Sequence, residues 1–213
     1  AITTDIKNGT ISGITSPAVI GRNVSFTLAP TDDTYKLDSY KVYKTDNEST
    51  TVDVTESNGT YTFTMPDSPV TVSATFVKKK HAVTVDIQGE TAGGTVSINK
   101  NSPVTVGEEV HVTVDTNAHY VLASLTMNDT DIMSSKSFTM PNKAVTIKAA
   151  FEKTKHELVY VESPEKGKIQ GITPNKALPW GTVLNFTVTP NPYYVIDYVA
   201  ASINDVPTII KPE

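Results

Sequence analysis

Four histidines are the first residues to weigh for chemistry, because imidazole ligates metals and moves protons near neutral pH. His81 and His156 hold the same place in two similar stretches 75 residues apart. They stand about one domain apart, cannot share a metal within one chain, and are expected as exposed linker residues. His111 alternates with Val110 and Val112 and is expected to point outward. It meets His119 only if the strand reverses between them, and a metal centre needs several convergent ligands. Asn128-Asp129-Thr130-Asp131 is oxygen-rich like a calcium loop, but the further spaced ligands and terminal Glu of an EF-hand are missing. It reads as a turn, where Asn and Asp are favoured. Lysines such as Lys148 sit at outward or turn positions, so a Lys–Asn crosslink, which needs a buried Lys, is not expected. Asn-x-Ser/Thr triplets occur at Asn8, Asn23, Asn47, Asn58, Asn128 and Asn185; a chain this rich in Ser and Thr produces them by composition. The remaining lead is aromatic. Trp180, Tyr193 and Tyr194 lie close in sequence, with Tyr198 just beyond, and such faces stack on sugars or anchor protein partners. The competing reading is packing. No metal, no cofactor and no catalytic residue is expected, for there is no Gly-x-Ser-x-Gly, P-loop, His-Glu-x-x-His or dinucleotide fingerprint.

Composition narrows the class further. The chain has 213 residues, 38% hydrophobic and 19% charged, with net charge −5. Thr, Val and Tyr suit strands, and Ser and Asn suit turns, which argues against a helix-rich enzyme. Arg22 is the only arginine, so the basic face that a nucleic-acid binder needs is lacking. The absence of cysteine excludes disulfides, thiolate metal sites and thiol nucleophiles. No apolar run approaches the ~20 residues of a membrane helix. The chain opens Ala1-Ile2-Thr3 without a signal-like segment, and is expected to be an internal piece of something longer.

The elements that must position these residues repeat along the chain. Phe63-Thr64-Met65-Pro66 returns as Phe138-Thr139-Met140-Pro141, each followed by an alternating stretch ending at Phe76 or Phe151. The front half occurs three times. Gly21-x-x-Val24-x-Phe26 matches Gly107-x-x-Val110-x-Val112 and Gly181-x-x-Leu184-x-Phe186. Tyr35, Tyr120 and Tyr194 follow in register, and Gly9, Gly94 and Gly167 precede. Gly21 to Gly107 spans 86 residues but Phe63 to Phe138 spans 75, so repeat 1 carries about 11 more residues. Lys44–Thr55 is the expected insertion, read as a longer hairpin. The expected division is 1–77, 78–152 and 153–213. Asn204-Asp205 matches Asn128-Asp129, and Glu213 precedes the place of a third Phe-Thr-Met-Pro, so repeat 3 is expected to be truncated.

Each legible segment has period two, the pattern of a strand with one buried face. The expected fold is all-β, a tandem array of small antiparallel β domains of about 75 residues, with five or six strands each and little helix. Asn58-Gly59 reads as a hairpin turn. The core is expected at Val24, Phe26, Leu28, Tyr35, Leu37, Phe63, Met65, Val72 and Phe76. In repeat 2 it is expected at Val110, Val112, Tyr120, Leu122, Phe138, Met140, Ile147 and Phe151. Lys78–Lys80 and Lys153–Lys155 are short connectors without Gly or Pro, which predicts close coupling and an elongated rod. The expected radius of gyration is near ~26 Å, against about 17 Å for one compact domain; small-angle scattering distinguishes them.

The order Gly-Thr-hydrophobic, Gly-x-x-Val, Tyr-x-Leu, then Phe-Thr-Met-Pro-x-x-x-Val-Thr-Val-x-Ala-x-Phe resembles the divergent internalin-type B-repeat family of bacterial surface proteins. Phe63–Phe76 and Phe138–Phe151 carry the signature. The resemblance implies a bacterial cell-surface, extracellular or cell-wall module without catalytic residues, acting as stalk or spacer. It also brings an alternative fold, β-grasp-like α+β repeats with a helix. The alternative function is a carbohydrate- or protein-binding accessory module of a secreted enzyme, with Trp180, Tyr193 and Tyr194 as platform. A surface glycan or protein is the expected partner class; nucleic acid and membrane insertion of this segment are not expected, and the chain is expected to be monomeric.

Overall fold

A computed structural model of the chain describes residues 1–158, 165–173, 175–203 and 206–210. Asn204, Asp205 and Glu213, expected as a turn and a cut point, lie outside the described residues. Repeat 1 runs β1 (Ile2–Lys7), β2 (Gly9–Ser12), β3 (Asn23–Pro30), β4 (Tyr35–Lys44), β5 (Asn47–Val52), β6 (Val54–Ser57), β7 (Thr60–Thr64) and β8 (Val70–Lys78). These strands form two sheets, β1-β8-β4-β5 and β2-β3-β7-β6. The alternating apolar residues of both sheets meet in one core that holds Val24, Phe26, Phe63, Val42, Val70 and Val72. Phe26 stacks on Tyr61, centroids 5.4 Å apart, and meets Phe63 edge-on at 6.2 Å. Ring pairs at such spacing add to the area they bury.

Repeat 2 runs β9 (Lys80–His81), β10 (Val83–Gly89), β11 (Gly94–Ile98), β12 (Val104–Thr105), β13 (Glu109–Thr116), β14 (Tyr120–Met127), β15 (Thr130–Asp131), β16 (Ser137–Thr139) and β17 (Val145–Lys153). Its sheets, β10-β17-β14-β15 and β11-β13-β16, repeat the order of repeat 1. Small details recur as well. Ser16 Oγ accepts from the Ile2 amide at 3.0 Å, and Ser102 Oγ from the Val83 amide at 2.9 Å. What repeat 1 adds is a longer β5 and the edge strand β6, so the insertion builds sheet. The Asn58-Gly59 turn joins β6 to β7, with φ of 50° and 77°, as a primed hairpin turn requires.

Three features depart from expectation. Repeat 1 has eight strands, and β1 pairs parallel with β8 within otherwise antiparallel sheets; it starts the repeat and joins the strand that ends it. Leu28, Tyr35 and Leu37 are only half-buried, while Val42, Val70 and Ala74 are buried. Within β4 a bulge between Leu37 and Ser39 moves the inward face from the odd positions Tyr35 and Leu37 to the even position Val42. Repeat 2 changes phase alike, from half-buried Leu122 to buried Leu125. As for helix, the β-grasp alternative is not what forms: among the described residues the sole helical element is one 3-10 turn, Thr91–Gly93.

By compactness the chain divides into two units. The first is Ala1–Gln88, Thr95–Asp115 and Ser124–Ala150; the second is Gly89–Gly94, Thr116–Ala123 and Phe151–Glu213. In the second, β18 (Lys155–Leu158), β19 (Gly167–Gln170), β20 (Lys176–Pro179), β21 (Thr187–Pro190), β22 (Val199–Ile203) and β23 (Val206–Ile210) form, among the described residues, two-stranded pairs, β18-β20, β19-β21 and β22-β23. Residues 182–186, equivalent to the start of β3, are not strand.

Candidate functional site

The connectors between repeats hold the most developed polar arrangement. In the first unit, the Lys79 amide donates to Thr34 C=O at 2.8 Å, and Lys79 C=O accepts from the Val106 amide at 3.0 Å. Beside it β9 pairs antiparallel with β12, His81 opposite Val104 and Lys80 opposite Thr105. The connector is thus held on one side by the β3–β4 loop of repeat 1 and on the other by the loop before β13 of repeat 2. Asn142, directly after the second Met-Pro, adds a bridge. Its Nδ2 donates to Asp33 C=O at 2.9 Å, and its Oδ1 lies 2.9 Å from His81 Nε2. Val104 and Val106 are buried here.

The second unit contains the same clasp one repeat later. The Thr154 amide donates to His119 C=O at 2.8 Å, and Thr154 C=O accepts from the Trp180 amide at 2.8 Å. β18 pairs with β20, placing His156 opposite Leu178 and Lys155 opposite Pro179. Thr154 therefore corresponds to Lys79, His119 to Thr34, and Trp180 to Val106. Trp180 lies face to face with His119, centroids 3.9 Å apart and rings 6° from parallel. His119 has φ 68°, the left-handed region that non-glycine residues rarely enter.

The residues singled out from sequence fall into separate places. Trp180 is 47% exposed, but one ring face is taken by His119. Tyr193 is fully exposed at φ 73°. Tyr194 is partly exposed, with Lys166 Nζ 5.3 Å from its ring centroid, and it borders a shallow groove with Val188, Val195 and Asp197. Among the described residues no ring contact joins Trp180 to either tyrosine. His81 is half-buried in the clasp rather than an exposed linker residue, whereas His156 is exposed. His111 points outward, 3.7 Å from Glu109. Asn128 and Asp129 form the expected turn, with φ of 45° and 66°. Asn128 bonds to Thr146 and Ala144, and Asp129 pairs with Lys148 at 2.9 Å. That pairing, through a hydrogen bond and charge, raises the Lys148 pKa. Among the described residues no group of three His, Asp or Glu stands close enough to hold a metal ion.

Sequence reading missed Asn142, Thr34 and the His119–Trp180 stack. The signal for the clasp was present in the constant spacing of the connectors, but their docking partners sit in loops whose residue types differ between repeats.

Residues 1–80 and 83–155 each match the divergent InlB B-repeat domain. The chain belongs to the divergent InlB B-repeat family. It is a non-catalytic structural and adhesion repeat of bacterial surface proteins, extracellular or in the cell wall. No curated protein matches the chain. The two matched B-repeats meet at residues 80–83, the stretch where β9 docks on β12.

Proposed function

We propose that the chain serves as a spacer in which three repeats, 1–77, 78–152 and 153–213, are clasped head to tail by their connectors. The recurrence of the clasp at Lys79 and Thr154 carries this reading. A connector whose amide and carbonyl are both engaged by flanking repeats transmits force and orientation, which a slack linker does not. Residual dipolar couplings in weakly aligned chain test it. Repeats 1 and 2 should share one alignment tensor, and Lys79→Pro, which deletes the amide donated to Thr34, should separate them. Two independent tensors in the unaltered chain would overturn the reading.

A second reading places a glycan- or protein-binding face on repeat 3. It is favoured by Tyr193, fully exposed beside Tyr194 at the groove edge. A glycan array probed with the full chain and with Tyr193→Ala tests it; signal that persists in the variant, or no signal at all, removes it.

A further inference from the structure

The loop that receives a connector in repeats 2 and 3 is present in repeat 1, where none of the described residues docks on it. Val104, Thr105 and Val106 correspond to Ala18, Val19 and Ile20, and to Leu178, Pro179 and Trp180. The loop closes on the same turn in all three. Arg22, Glu108 and Thr182 donate to Val19, Thr105 and Pro179 C=O, and Gly21 and Gly107 donate to Met65 and Met140 C=O, both at 2.8 Å. Between repeats 1 and 2 it is the outer edge that differs. The Val106 and Trp180 amides donate to Lys79 and Thr154, but the Ile20 amide has no partner among the described residues. Val104–Thr105 and Lys176–Pro179 are strands because a connector pairs with them; Ala18–Val19 is not strand. Val106 is 6% exposed, while Ile20 is 64% and Val19 70% exposed. A shallow groove lined by Pro17, Ala18, Val19 and Arg22 runs beside them.

We propose that Ala18–Ile20 is an open connector-docking site, and that its occupant is the extended segment by which another B-repeat would join this one just ahead of Ala1. This rests on reading the connector as a clasp. Continuity with the existing clasps selects the occupant. Ala1 C=O accepts from the Val70 amide as Ala82 C=O accepts from the Val145 amide, so chain entering at Ala1 holds the place of Lys80–His81 entering at Ala82. Chain in that place runs antiparallel to Ala18–Val19 and offers a carbonyl to Ile20. Adding a strand to an exposed edge satisfies main-chain groups and covers the apolar side chains beside them. An unrelated extended peptide completes only half the clasp. The connector's own amide needs a carbonyl from a preceding β3–β4 loop, as Lys79 needs Thr34.

The test places a second copy of residues 1–81 ahead of Ala1 in the full chain and follows amide exchange at Ile20, with Val106 as internal reference. Exchange at Ile20 should slow at least ~10-fold towards the Val106 rate, as expected for an amide newly closed in a pairing. A second form adding only residues 76–81 ahead of Ala1, where no new repeat must fold, should slow Ile20 in the same direction but less. If Ile20 stays fast in both forms while Val106 is protected, the docking site is refuted and the clasp stands. If Val106 is as fast as Ile20, the clasp and the docking site fail together. If Ile20 is already slow in the unextended chain and speeds up on dilution, a second copy covers the loop in trans and the proposal is overturned.

Discussion

Repeats 1 and 3 carry the same front pattern, Gly21-x-x-Val24-x-Phe26 and Gly181-x-x-Leu184-x-Phe186, and bury it to different depths. Val24 and Phe26 are buried, whereas Leu184 is 41% exposed and Phe186 half-buried. Among the described residues the difference lies in the partner strand. In repeat 1, Val24 pairs opposite Phe63 and Phe26 opposite Tyr61; in repeat 2, Val110 pairs opposite Phe138. Phe-Thr-Met-Pro occurs twice in the 213 residues, and residues 182–186 are not strand. Strand-forming residue types at the right period do not by themselves make a strand; a pairing edge and a covering sheet do. The connector clasp, in contrast, forms at Thr154 as it does at Lys79, because it needs only the loop before the front strand.

The sharpest way to break this comparison is to empty matched core sites. Phe26→Ala should cost repeat 1 roughly 3–5 kcal/mol, the usual range for a buried aromatic. Phe186→Ala should cost repeat 3 less than about 2 kcal/mol, because a half-buried ring removes less surface from water. Urea unfolding followed by amide exchange in each repeat reads both; equal losses would mean that Phe186 is as well packed as Phe26.

The clasps should differ by a smaller margin. Val106→Ala should destabilise the first by roughly 2 kcal/mol through lost burial and a residual cavity. Trp180→Ala should destabilise the second by about 1 kcal/mol, the scale of one ring stack. Since Trp180 is the only tryptophan, its fluorescence reports on the second clasp alone. Removing its cover with His119→Ala should shift the emission to longer wavelength as the ring face enters water. Unchanged emission would mean that the stack does not shield the indole.

Much of this was legible because it is periodic. Alternation at Val24–Leu28 and Val70–Phe76 identifies strands and their inward faces, and the constant offset between signatures identifies the repeats. Period-two reading failed at Leu37–Val42, where one bulged residue reverses the inward face without leaving a signal in residue type. β6 was legible mainly through its turn, since Val54–Ser57 offers only one apolar residue but Asn58-Gly59 announces a hairpin with β7. The aromatics were read by type alone. Trp180 is tied to His119 through a loop–loop meeting across 61 residues of sequence, and no local pattern encodes such a contact.

The smallest expected difference between the clasps is in their response to acid. Thr34, whose carbonyl receives the first connector, donates its hydroxyl and, at 2.8 Å, its amide to Asp32 Oδ1. Those bonds, the hydroxyl's first, lower the Asp32 pKa from its ordinary 3.8. A carboxyl with a folded-state pKa below its unfolded one contributes stability in full above the unfolded value, and loses it as pH falls through the folded one. The contribution is small, because Asp32 is exposed and solvent screens it. In the second clasp the equivalent residue is Asn117, whose Nδ2 donates to Ala92 C=O at 2.8 Å and which has no carboxyl to protonate. Lowering pH from about 5 to about 2 crosses the range in which such a carboxylate takes up its proton. Over that range the amide resonances of Thr34 and Lys79 should move while that of Thr154 stays nearly still. Asp32→Asn should abolish the movement at Lys79 and leave its position at neutral pH little changed. Movement at Lys79 that survives the substitution would assign the acid response to another group and leave the two clasps alike in this respect.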